Sequence, residues 1–185
     1  MANLHTLTVQ EATNQTAQRK SIRVTPTVVA GETADNDVMF NATEIPNAVL
    51  GKGSCSKLIG ITIINKDDEQ HDFDIILMQV QTNFGTADAV SDITDANLQA
   101  SKVIGVLPIT WVDGQIVFAQ DSGSASIYTA SSQLRGAQST STSALPLLLQ
   151  AEDDSTSVYF TAIANGAAID FAAVDDLEFV FHVEY

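Results

Sequence analysis

Residues 57–80 read KLIGITIINKDDEQHDFDIILMQV. Two apolar runs flank a polar centre. Ile59, Ile61 and Ile63 alternate with Leu58, Thr62 and Ile64; beyond the centre, Phe73, Ile75 and Leu77 alternate with Ile76, Met78 and Val80. Period two is the strand signature. Both strands are apolar on both faces over part of their length, which suits central strands or strands covered by another subunit. The linker NKDDEQHD is then a solvated turn closing a long hairpin. Asn and Asp start turns by bonding their own backbone.

That linker is also the strongest chemical candidate in the chain. It holds Asp67, Asp68, Glu69, Asp72 and Asp74, with His71 among them. A calcium loop needs oxygen ligands at set offsets and a glycine at its sharp bend, and both are missing. Zinc would want more nitrogen or sulfur than His71 offers. The reading is a turn, with no metal site and no cofactor.

Working outward, the same alternation recurs. In LEFVFHVEY (177–185), Leu177, Phe179, Phe181, Val183 and Tyr185 form a core face, with Glu178, Val180, His182 and Glu184 opposite. In SVYFTAIA (157–164), Val158, Phe160 and Ala162 share a side. Asn165-Gly166 and Asp113-Gly114 supply residues for tight hairpin turns. SIRVTPTVVA (21–30) reads as a strand, and residues 37–49 as one or two short strands ending near Pro46. Pro26 and Pro108 lack an N–H, so each belongs at a sheet edge or bulge. GKGSCSK (51–57) is a glycine-bearing loop. SIYTASS is a further strand, followed by the loop RGAQSTSTSA. One short helix is expected over 91–101, capped by Asp92 or Thr94 and packed through Ile93, Leu98 and Val103. These elements predict an all-β, antiparallel β-sandwich with one short helix, jelly-roll-like or immunoglobulin-like. Residues 1–20 read as an extended N-terminal arm and 21–185 as the sandwich domain.

Composition narrows function. The 185 residues are 45% hydrophobic and 17% charged, with a formal charge of −15. Such a surface repels phosphate backbones, so nucleic acid is an unsuitable partner. No apolar run is long enough for a membrane-spanning helix, and the first residues lack a signal-peptide pattern. The chain is expected to be made in a cytoplasm. The single cysteine, Cys55, cannot form an internal disulfide and reads as an inert small residue. The sequons at Asn14 and Asn41 read as chance matches.

No catalytic constellation emerges, and the chain is read as not an enzyme. GKGSCSK matches neither the nucleophile elbow nor the phosphate loop. His5, His71 and His182 are scattered. Asp153-Asp154 and Asp175-Asp176 are turn carboxylates; a hydrolase would need two of these acids facing across a cleft. Trp111 with Tyr128 and Tyr159 would suit a sugar platform, and a carbohydrate-binding or adhesin-like module is the alternative function. Three basic residues, Arg19, Lys20 and Arg23, cluster within five positions of a very acidic chain. They are the candidate partner-binding residues.

Three ordered pieces carry a family resemblance: SIRVTPTVVAG, then SKLIGITIINKDDEQHDFDIILMQVQTNFG, then TADAVSDITDANLQASKVIGVLPI. Over about residues 21–110 the chain resembles the small virion structural proteins that tailed bacteriophages encode beside the major capsid protein. The long N-terminal arm departs from that family's shorter starts. The resemblance implies a capsid decoration or cement protein, bound to the major capsid protein on the outer capsid surface of the virion. It further implies a homo-oligomer, with a trimer favoured; a neck or tail location is the neighbouring alternative. Attachment would bring Arg19, Lys20 and Arg23 against an acidic shell.

Overall fold

The computed structural model describes residues 18–67, 72–110, 116–120, 123–131, 145–166 and 168–185. Twelve strands and one helix follow in order among them: β1 (Arg19–Val24), β2 (Gly31–Thr33), β3 (Val38–Ile45), β4 (Cys55–Asn65), β5 (Phe73–Met78), α1 (Asp95–Ser101), β6 (Val103–Ile109), β7 (Ile116–Gln120), β8 (Gly123–Ser131), β9 (Leu147–Gln150), β10 (Val158–Ala164), β11 (Ile169–Phe171) and β12 (Leu177–Glu184). The expected all-β sandwich with one short helix is what forms.

The pairing is nested. β1 pairs β12, β2 pairs β11, β3 pairs β10, β4 pairs β8 and β9, and β5 pairs β6, all antiparallel. The chain is thus one long two-stranded ribbon with β5–β6 at its tip. Wrapping distributes the ribbon over two large sheets, with β2 and β11 forming a separate two-stranded sheet. One runs β1-β12-β4-β8-β7, with β9 extending the line of β8 along β4; the other runs β3-β10-β5-β6. Of the two topologies left open by the sequence, this arrangement is the jelly roll.

Nesting corrects three expectations. β4 and β5 lie in different sheets, so residues 57–80 are not a hairpin but a crossing from one layer to the other. Both strands are nevertheless central, which explains their apolar faces. Asn165-Gly166 makes no hairpin either: β10 belongs to the second sheet and β11 pairs with β2. Its Gly166 does adopt a positive φ, +101°. Asp113-Gly114 lies outside the described residues, and the strands around it, β6 and β7, are in separate sheets.

Alternation locates the core. Leu177, Phe179, Phe181 and Val183 of β12 point inward, as do Val158, Phe160 and Ala162 of β10. Phe179 sits at the centre of an aromatic cluster, with ring centroids 5.0 Å from Phe160, 5.8 Å from Phe40, 6.0 Å from Phe181 and 6.3 Å from Phe73. Phe40, Phe73 and Phe160 come from one sheet and Phe179 and Phe181 from the other, so the cluster fastens the layers. In β4 the expected face of Ile59, Ile61 and Ile63 is broken. The register slips where His182 faces Gly60 and Val183 faces Leu58. That bulge inserts Ile59, and Leu58 joins Ile61 and Ile63 in the core.

Edges follow the prolines. β1 and β6 are both terminal in their sheets. Pro26 lies just beyond β1, and Pro108 lies within β6. Helix α1 starts at the Thr94 cap, whose hydroxyl accepts the Asn97 N–H. Only Ser101 of the helix is buried; Leu98 and Val103 are exposed, against expectation, and Ile93 alone packs on apolar neighbours.

Candidate functional site

The acidic crossing between β4 and β5 is built as a fastening. Asn65 Oδ1 accepts the Asp67 N–H at 2.9 Å and starts the bend. Asp67 Oδ2 accepts the Ala172 N–H at 2.6 Å. Lys66 donates from its backbone to Asp176 O at 2.8 Å and from Nζ to Asp175 O at 2.7 Å. On the far side, the Asn165 N–H donates to Asp72 O at 2.9 Å. Asp74 is hydrogen-bonded to the Asn165 side chain. Burial pushes its carboxyl above the ordinary range, opposed by that hydrogen bond and reinforced by the charge of Asp72. Asp67 and Asp74 are therefore spent on holding the crossing to the 165–176 segment. Asp68, Glu69 and His71 lie outside the described residues. Among the described residues no group of three or more His, Cys, Asp or Glu is arranged to hold a metal ion.

The paired turn carboxylates stand far apart. Asp153 lies against Gly53, whose positive φ of +66° and close approach to the Asp153 backbone explain the glycine in that loop. Asp176 lies against Lys66. Between Gly53 and Lys66 runs the whole of β4, 11 residues or about 36 Å of strand. The two Asp pairs cannot share one cleft. Asp176 instead closes its own turn by accepting the Ala173 N–H at 2.5 Å. Cys55 is exposed at the start of β4. Trp111 lies outside the described residues, and Tyr159 is half-buried on the outer face of β10, packed on a small apolar cluster.

The outer face of the first sheet carries a polar row not foreseen from the sequence. Ser21 Oγ pairs with His182 Nδ1 at 3.0 Å, His182 Nε2 pairs with Thr62 Oγ1 at 3.1 Å, and Thr62 Oγ1 pairs with Thr129 Oγ1 at 3.2 Å. One line of hydrogen bonds crosses β1, β12, β4 and β8. His182, placed by the sequence on the face opposite the core, is its half-buried hub. The row becomes visible only once the register sets these residues side by side.

The basic cluster flanks this row. Arg19 and Lys20, expected at the end of the arm, are the first two residues of β1. Arg19 Nε donates to Glu184 Oε2 at 3.0 Å, and Arg23 forms an ion pair with Glu178. Both glutamates come from β12, and both are more buried than their arginines. The two guanidinium groups are thus partnered within the sheet, while Lys20 is exposed beside them. Elsewhere, a cleft of 340 Å³ opens at the seam of β6 and β9 between Val103, Ile104, Leu147 and Leu148. Lys102 at its rim is held by both carboxylate oxygens of Glu152 at 2.8 Å.

Comparison of the sequence with protein-family models and with curated proteins gave no match.

Proposed function

We propose that this chain is a non-enzymatic structural protein of a tailed-phage virion, a decoration or cement protein. In this reading it binds the outer capsid surface and bridges neighbouring subunits of the major capsid protein. The observation that carries the reading is where the polar side chains go. Asp67, Asp74, His182, Arg19 and Arg23 each fasten one strand or turn to another. That is the use of polarity in a mechanical framework. The jelly roll is an architecture of capsid and lectin domains alike; the sequence resemblance favours the first. A charge of −15 keeps such a protein off packaged nucleic acid, and symmetric self-association suits a shell.

Attachment uses the N-terminal segment in this reading. Because Arg19 and Lys20 are part of β1, the informative deletion is 1–17 rather than 1–20. The test is rebinding of the purified chain to particles stripped of it. Saturable occupancy on shells is expected, weakened by the deletion at unchanged far-UV circular dichroism. A chain found only in the soluble lysate and never on particles overturns the proposal. Glycan-array binding abolished by Trp111→Ala would replace it with the carbohydrate-binding reading.

A further inference from the structure

The connection from β5 to β6 makes a long excursion from a pinched base. Gln79 N–H donates to Lys102 O at 3.2 Å and Val80 N–H to Ser101 O at 3.1 Å, directly beyond the facing pair Met78 and Val103. A two-residue turn would close the same hairpin. The intervening chain, including α1, does something else: part of it runs along β3, the terminal strand of the second sheet.

A terminal strand presents backbone groups that a neighbouring strand could take. Here those of Val38 and Ala42 are already taken. Val38 N–H donates to Ala89 O at 2.9 Å, and Val38 O accepts the Asp88 N–H at 2.8 Å. Four residues along, Ala42 N–H donates to Asn83 Oδ1 at 2.9 Å, and Ala42 O accepts Gln81 Nε2 at 2.9 Å. Two side-chain amides stand where the peptide groups of another strand would stand. The same excursion covers the outer face of the sheet: Phe84 and Ile93 pack on Val38, Ala42, Ile76 and Met78. The cover for this apolar face, which the sequence reading offered to another subunit, comes from the chain itself.

We propose that residues 79–102 are an edge guard: the strap occupies the place that a β-strand of a second copy would take beside β3. Without it, two copies pair edge to edge through β3 and bury the apolar face exposed by its removal. The contact is distinct from any assembly the protein makes on a shell, because the strap holds the Val38 and Ala42 positions of β3 in the intact chain.

Two variants test this against the parent chain at equal concentration. The first replaces 80–101 with Asn-Gly, a turn suited to a two-residue hairpin. The expected result in analytical ultracentrifugation is a new species of twice the parent mass, with native far-UV circular dichroism. A folded variant with the parent's mass overturns the proposal. Should that variant fail to fold, Gln81→Ala/Asn83→Ala decides. Hydrogen exchange at the Ala42 amide should quicken by about tenfold, and the doubled species should appear. Unchanged protection at Ala42, or faster exchange without association, overturns it.

Discussion

Phe160 meets Phe179 edge to face, with ring centroids 5.0 Å apart and planes at 71°, and this contact joins β10 of one sheet to β12 of the other. Both rings are fully buried. Phe179→Ala removes the ring that touches Phe40, Phe73, Phe160 and Phe181 at once. The expected cost is about 3–5 kcal/mol, read as a lower denaturation midpoint in urea at unchanged slope.

The polar row should behave as a unit. A neutral imidazole donates from one nitrogen and accepts at the other, so Ser21 and Thr62 take opposite roles on either side of His182. Thr62→Val should cost about 1 kcal/mol. In a double-mutant cycle with Ser21→Ala, the two losses should differ from additivity by about 0.5 kcal/mol or more. Strict additivity would show that the imidazole passes nothing from one strand to the next.

Asp74 should make the stability of the crossing depend on pH. Its folded-state carboxyl is raised chiefly by burial, so the folded chain holds this proton more tightly than the unfolded chain does. The linkage sign follows: its contribution to stability is largest at low pH and falls as pH rises from the ordinary carboxylate range through the raised value. Asp74→Asn keeps an acceptor for Asn165 and removes the charge. Urea denaturation should find the variant slightly more stable than the parent at pH 7, with the difference vanishing toward pH 3. A variant less stable at pH 7 would contradict the burial argument.

Gly85 holds the strap in shape. Its φ is +155°, and a Cβ there would stand 3.1 Å from Asp92 Oδ1 and 3.4 Å from Val38 Cγ2. Gly85→Ala should cost about 1–3 kcal/mol. The loss should show as faster exchange of the Asp92 amide, which donates to Phe84 O, and of the Val38 amide.

Exposed ion pairs contribute little by contrast. Glu178→Gln releases Arg23 and should change stability by less than about 1 kcal/mol, with the effect fading in high salt. Any large effect would mean that the pair sets the register of β1 on β12.

What the sequence makes legible is the orientation of each strand, because one buried face imposes period two locally. β12 and β10 are read correctly for that reason. What it hides is the identity of the partner. The polar linker between Asn65 and Phe73 looks the same whether its strands pair or separate into two sheets. An Asn-Gly step serves a layer crossing as readily as a hairpin. Ile59 is misplaced because a bulge moves it, and a bulge leaves no mark in hydropathy. The acidic crossing is read as structural, yet its fastenings, Asp67 to Ala172 and Lys66 to Asp176, join positions over 100 residues apart. Arg19 and Glu184, 165 positions apart, are likewise invisible to any local reading, so the basic cluster looks unattached. The edge guard is hidden for the same reason: Gln81 and Asn83 have no local signature as surrogate peptides.

Among the described strands β1 leaves the ribosome first and β12 last, yet β12 lies between β1 and β4. Until β12 emerges, β1 lacks its ladder partner and the largest sheet has a gap between β1 and β4. Closure therefore waits for β12, and a product that stops short of it keeps an open seam along β1 and β4.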